Sequence, residues 1–198
     1  MKFPIRLRDH LQSRQRIALS APEAVPCAVL LPLIHADSGF DLIYTLRTDH
    51  LPSHKGQVAF PGGKRAAGET SVEAALRESA EEIGIDPGDV QILGCLDDVF
   101  TMATQFVITP WVGLLPGGTS FRPNPYEVAD VFPVALRDLR DPRYRASATK
   151  QWGGNDYEIT VINAGRHEIW GATLTITMNF LDSIAELERE FGSGRECR

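Results

Sequence analysis

Cysteine is scarce in this 198-residue chain: there are three, Cys27, Cys95 and Cys197, far apart and without CxxC spacing. That excludes a disulfide framework and a cysteine-based zinc site, and it fits reduced thiols in a cytoplasm. Positive charge is also short. Lys and Arg number 20 against 26 Asp and Glu, a net charge of −6. Binders of a nucleic-acid backbone are usually basic, so this balance argues against one. Small anionic ligands stay open, because a metal ion can supply positive charge locally. Long apolar runs are missing: no segment approaches about 18 uninterrupted apolar residues, the length of a membrane span. The first residues, MKFPIRLRDHLQSRQR, hold no apolar core of signal-peptide length. The expectation is a soluble, cytoplasmic protein with no membrane partner.

What is present is globular composition, with 43% apolar and 23% charged residues. The length suits one domain, and a chain of this size buries roughly 70% of its unfolded surface without staples. A weak amphipathic helix is expected over residues 4–17. VPCAVLLPLI (25–34) and DLIYTLR (41–47) read as strands joined by Asp37-Ser38-Gly39 into a hairpin. A polar loop then runs to Phe60-Pro61-Gly62-Gly63. QILGCL (91–96) and FVITPWVGLL (106–115) read as further strands, and YEITVI (157–162) with HEIWG (167–171) as a second hairpin. Leu174, Phe180, Leu181, Ile184 and Leu187 mark a closing helix. No internal repeat or linker interrupts the chain. Strands, hairpins and a few helices indicate an α/β or α+β layered domain.

The stretch RESAEEIG, Arg77 to Gly84, sets three glutamates at the C-terminal end of a helix over about 72–83. Thr70 and Glu73 have capping-box spacing, and Gly84 stands where a left-handed terminal residue is wanted. At about 100° per residue, Val72, Leu76, Ser79, Ala80 and Ile83 share the arc expected to face the core. Glu78, Glu81 and Glu82 share the opposite arc, expected to face solvent, with Arg77 to the side. Carboxylates at a helix C-terminus oppose the macrodipole, and Glu78 repels Glu82 at i,i+4. The plain alternative is a solvated acidic face, yet no cation on that arc neutralises it. Such a local conflict is expected at functional sites. Convergent carboxylates suit hard, oxygen-seeking ions such as Mg²⁺ or Mn²⁺.

These residues resemble the signature of the Nudix hydrolases: Gly63, Glu69, Arg77, Glu78, Glu81, Glu82, Gly84 and Ile85 fall in place. Ser79 is the one departure, where the family usually has an aliphatic side chain. At typical residue frequencies such a match arises by chance on the order of a few times in a million chains of this length. The resemblance implies a single domain over 1–198, with 1–22 a helical extension and 23–190 an α/β/α sandwich core with a mixed sheet. It implies hydrolysis of a nucleoside diphosphate linked to another group, with Mg²⁺ or Mn²⁺. Glu78, Glu81 and Glu82, joined by the Gly63 carbonyl, would be the metal ligands. Glu81, Glu82 and Glu127, the last from NPYEV, are the candidates for catalytic work, with Glu81 or Glu127 as general base. Glu69 and Arg77 would form an ion pair that holds the loop on the helix.

Upstream, IYTLRTDHLPSHKGQVAFPGG resembles the signature of the coenzyme A pyrophosphatase branch of that family. Thr45, Arg47, Gly56, Phe60, Pro61, Gly62 and Gly63 match it. Ile43 and Tyr44 replace two leucines, Thr48 a small residue, and Pro52 an arginine. The resemblance implies cleavage of coenzyme A or acyl-coenzyme A to 3′,5′-ADP and (acyl-)4′-phosphopantetheine, with Arg47, Lys55 and Gly62 meeting the substrate. ADP-ribose, a dinucleotide or a nucleoside triphosphate is the alternative substrate, and a non-catalytic nucleotide-binding module the alternative class. The implied partner is a small-molecule nucleotide and no nucleic acid, with a homodimer as a further expectation.

Overall fold

The computed structural model describes residues 2–37, 39–50 and 54–191. Ser38 of the first expected turn, Pro52 and Cys197 lie outside the described residues. The chain opens with α1 (Lys2–Ser13), shorter than expected at its C-terminal end. It continues through β1 (Val25–Ala36), β2 (Gly39–Arg47), β3 (Val58–Ala59) and β4 (Gly62–Lys64) to the acidic helix α2 (Ser71–Ile83). Next come β5 (Gln91–Cys95), β6 (Val99–Thr101), β7 (Phe106–Leu115), β8 (Val128–Ala135) and the short α3 (Leu136–Arg140). The last elements are β9 (Arg145–Trp152), β10 (Asn155–Ala164), β11 (His167–Ile169) and α4 (Gly171–Phe191).

The first eight strands form one mixed sheet in the order β3-β2-β1-β7-β5, with β4 added to β1, β6 to β7 and β8 to β2. β1 runs parallel to β7 from Val25 against Phe106 to Ile34 against Leu115, and antiparallel to β2. Helices cover both faces, which explains why VPCAVLLPLI is apolar almost throughout instead of alternating. Ala28 and Leu30 point to one face, into a cluster with Ala74, Ala75 and Ile83 of α2. Leu31 and Leu33 point to the other, against Phe3, Leu7 and Leu11 of α1 and Ile176, Phe180 and Ile184 of α4. The layers are therefore α/β/α. Three further strands, β9 to β11, form a separate antiparallel sheet ordered β11-β10-β9.

The N-terminal segment is tied down by charge as well as by apolar packing. Arg14 pairs with Asp97 at 2.8 Å and Arg16 with the buried Asp98 at 2.6 Å. His10 on α1 reaches Glu190 on α4 at 3.2 Å. Among the described residues no helix is long and apolar enough to cross a membrane.

Candidate active site

Helix α2 begins as its sequence dictates. The Thr70 hydroxyl accepts from the Glu73 amide, and the Glu73 carboxylate accepts from the Thr70 amide at 2.8 Å. It ends at Gly84, whose φ of 68° is left-handed. Past the cap, the amides of Arg122 and Asn124 donate to the carbonyls of Ile83 and Glu82 at 2.8 and 2.9 Å. The loop before β8 thereby closes the open end of the helix, one of the standard fates of orphan carbonyls.

That loop changes which face of α2 is buried. Ala74, Ala75, Ser79, Glu82 and Ile83 are buried, whereas Val72, Leu76 and Ala80, expected in the core, are only half-buried. The buried arc is rotated towards Glu82. The expectation that Glu82 faces solvent is corrected: the residue is 4% exposed. Small alanines let the helix sit close to β1, and β4 with the 122–128 loop covers what the wheel left open. Ser79 satisfies its own buried hydroxyl by donating to the Ala75 carbonyl at 2.6 Å, so the departure from an aliphatic residue leaves no orphan polar group.

Three features surround the Glu82 carboxylate. The Gly62 amide donates to Oε2 at 3.1 Å. Arg47 Nη1 stands 3.8 Å from Oε1, and Arg47 Nε is buried without a hydrogen-bond partner among the described residues. Burial pushes the Glu82 carboxyl up to about 7; Gly62 and Arg47 pull against that rise, and the charges of Glu127 and Glu78 add to it. Glu127, half-buried, is held beside the site because its carbonyl accepts from the Thr48 amide at 3.0 Å.

Glu78 lies on the other side of the glycine pair. A methyl group at Gly63 would come within 2.5 Å of the Glu78 carboxyl carbon, so only a glycine lets this backbone lie on that carboxylate. Gly62, at φ 154°, is pressed against β1 in turn, 2.3 Å separating a hypothetical Cβ from the Ala28 carbonyl oxygen. The glycine backbone thus runs between two acidic side chains.

Arg77 does not lie to the side of the carboxylates, as its helical position suggested. Its guanidinium forks onto Glu69 through Nε at 2.8 Å and Nη2 at 3.1 Å. Nη1 meets Glu78 at 2.8 Å and Glu81 at 3.4 Å, and Nη2 also donates to the Lys64 carbonyl at 3.2 Å. Bonding to Arg77 draws the Glu69 carboxyl down to about 2. Arg77 therefore both ties the loop to the helix and neutralises two of the three glutamates at the C-terminal end of the helix. With Glu78 and Glu81 turned to Arg77, no three acidic, His or Cys side chains among the described residues stand close enough to form a finished metal cage. The oxygen-only donor set still fits a hard divalent cation: Glu78 and Glu82 flank the Gly62–Gly63 backbone, and Glu82 is a buried acid that meets Arg47 only at 3.8 Å.

The structure brings Arg47, Gly62, Gly63, Glu78, Glu82 and Glu127 to one place, with Glu81 reached through Arg77. Lys55 sits on the exposed turn that precedes β3, away from these hydrogen bonds. Sequence reasoning missed Asn124 and Thr48, which hold Glu127 and the helix end. Their signal was the Asn-Pro pair at Asn124-Pro125, a turn former. A cavity of about 330 Å³ lies elsewhere, between β8 and the β10–β11 turn, lined by Phe132, Tyr144, Arg166 and His167 among others. It includes none of the residues above, and the chemistry stays with the acidic helix.

A mixed-sheet α/β/α sandwich whose glycine strand lies across an acidic helix end agrees with the architecture that the signature residues imply. The NUDIX domain model matches residues 27–151, and the chain belongs to the Nudix family. It is 37% identical over 171 residues to the Nudix hydrolase NudL of Yersinia enterocolitica, itself uncharacterised, covering 85% of this chain and 86% of that protein. It is 39% identical over 150 residues to the NudL of Photorhabdus laumondii, covering 75% and 79%. A MutT/nudix family protein from Enterococcus faecalis shares the fold at a TM-score of 0.57 and 14% identity, over 91% of this chain and 71% of that one. The protein is a Nudix hydrolase, a class that cleaves nucleoside diphosphate linkages with divalent metal ions.

Proposed function

We propose that the whole chain works as one domain that hydrolyses coenzyme A or its thioesters to 3′,5′-ADP and (acyl-)4′-phosphopantetheine. The observation that carries the reading is the position of Arg47, the arginine of the coenzyme A branch signature. Its guanidinium is within 3.8 Å of Glu82, with a buried Nε that has no hydrogen-bond partner among the described residues. A guanidinium at that place is a natural partner for a phosphate oxygen.

Glu78 and Glu82, with Glu81 and the Gly63 carbonyl, would hold Mg²⁺ or Mn²⁺. Such an ion polarises the phosphoryl group and acidifies a bound water. The Gly62 amide fixes the rotamer of Glu82. Glu127, whose charge acts on Glu82, would take a proton from the attacking water, with Glu81 the second candidate. Arg77 and Glu69 position the loop and do not touch substrate. Gly62 also offers its backbone to the substrate. Lys55, on its exposed turn, meets the outer phosphate or the 3′-phosphate.

The test is a comparison of kcat/KM for coenzyme A, dephospho-coenzyme A and ADP-ribose with Mg²⁺ and with Mn²⁺. Coenzyme A should lead. Faster turnover of ADP-ribose than of both would discard the coenzyme A reading and keep the hydrolase.

A further inference from the structure

We propose that Tyr126 is the platform on which the nucleobase of the substrate stacks, an inference that rests on reading this site as one for nucleoside diphosphates. The ring is 81% exposed. Among the described residues its hydroxyl has no hydrogen-bond partner and its ring no stacking partner. A single exposed aromatic is unremarkable on a protein surface. Here the backbone beneath it is fixed from both sides.

The Tyr126 amide donates to Oδ1 of Asn124 at 3.2 Å, and its carbonyl accepts from the Thr48 hydroxyl at 3.0 Å. The Glu127 carbonyl accepts from the Thr48 amide at 3.0 Å, and the Asn124 amide donates to the Glu82 carbonyl at 2.9 Å. Thr48 is 6% exposed and follows Arg47 directly. Pro125 fixes the φ angle just before the tyrosine. The backbone that carries the exposed ring is thus fastened on one side to Thr48, the neighbour of Arg47, and on the other to the helix end that carries Glu82.

A stacking platform must present an apolar face to solvent and lose little freedom when the ligand arrives. Tyr126 presents its ring to solvent on an anchored backbone, and a tyrosine has only two χ angles to fix. Every base has a π-face, so the contact is tolerant of base identity. It would supply affinity for the nucleoside end without contributing to the bond cleaved.

The experiment titrates the intact protein in Mg²⁺ with two ligands that cannot be hydrolysed: α,β-methylene-ADP, and methylenediphosphonate, which lacks the nucleoside. Tyr126→Ala should weaken the nucleotide roughly 5- to 100-fold, the range of a base–aromatic stack. It should leave methylenediphosphonate within about twofold and Tm unchanged, since the ring is exposed. Tyr126→Phe should restore nucleotide binding to near the wild-type value. An unchanged Kd for the nucleotide in Tyr126→Ala, or equal weakening of both ligands, overturns the proposal. Failure of the wild-type protein to bind either ligand defeats the nucleoside diphosphate reading itself, and this inference with it.

Discussion

The Gly62 amide donates to Oε2 of Glu82 across 3.1 Å, joining β4 to the last turn of α2. This bond sets one glycine of the loop against a buried carboxylate, while its neighbour Gly63 lies on Glu78. Several consequences can be measured.

Glu82→Gln should stabilise the metal-free protein, and by a pH-dependent amount. The carboxyl is raised from 4.5 to about 7 on folding. Between those values the folded state holds a proton that the unfolded chain has released, so stability declines as pH rises through that window. Gln keeps an acceptor for Gly62 and carries no charge. Denaturant melts should show the variant gaining about 2–3 kcal/mol at pH 8 and almost nothing at pH 4.5. An equal effect at both pH values would contradict the burial account.

Gly62→Ala and Gly63→Ala should differ in kind. At Gly62 the new methyl meets the rigid Ala28 backbone in a conformation that L residues rarely adopt, and strain of about 1–3 kcal/mol or more should lower Tm. At Gly63 it meets the end of a flexible Glu78 side chain, which can swing aside. The second variant should keep its Tm and lose metal affinity, read by titration with Mn²⁺. Reversed behaviour would refute the assignment of the two glycines.

Arg77→Ala should lower Tm and make the protein more acid-sensitive. Glu69, drawn down to about 2 by Arg77, contributes stability that is present above about 4.5 and lost as pH falls towards 2. Without Arg77 that loss should begin nearer pH 4.5. Arg77→Lys should recover only part of the stability, because one ammonium cannot reproduce the fork onto Glu69 and the bond to Glu78. Full activity loss with an unchanged acid melt would give Arg77 a different role.

Arg47→Ala should reduce kcat/KM for coenzyme A by roughly 10- to 100-fold, the scale of one charge-assisted contact of about 1.5–3 kcal/mol. A loss below about threefold would mean that the phosphate lies elsewhere.

Much of this site was legible in the sequence because its residues act locally. The capping box at Thr70 and Glu73, the left-handed Gly84 and the strands at 25–34 and 106–115 depend on neighbours a few positions away. Glu82 was misplaced because its burial comes from Gly62 and the 122–128 loop, contacts that a helical wheel cannot contain. The Glu69–Arg77 pair was expected, but the turn of Arg77 Nη1 onto Glu78 and Glu81 was not, because the wheel sets Arg77 to the side of that arc. β8 was missed because Pro133 interrupts VADVFPVA; an edge strand that, among the described residues, pairs with β2 alone tolerates it. β9, RASATKQW, carries almost no apolar alternation, and pairing with β10 alone makes it a strand.

The most direct test of the account is product analysis by mass spectrometry of coenzyme A incubated with Mg²⁺ and either the wild-type protein or Glu82→Gln. The account requires 3′,5′-ADP and 4′-phosphopantetheine in equal amounts from the wild type, none without the metal, and none above background from the folded variant. Intact coenzyme A beside consumed ADP-ribose, or near-normal turnover by Glu82→Gln, would contradict it.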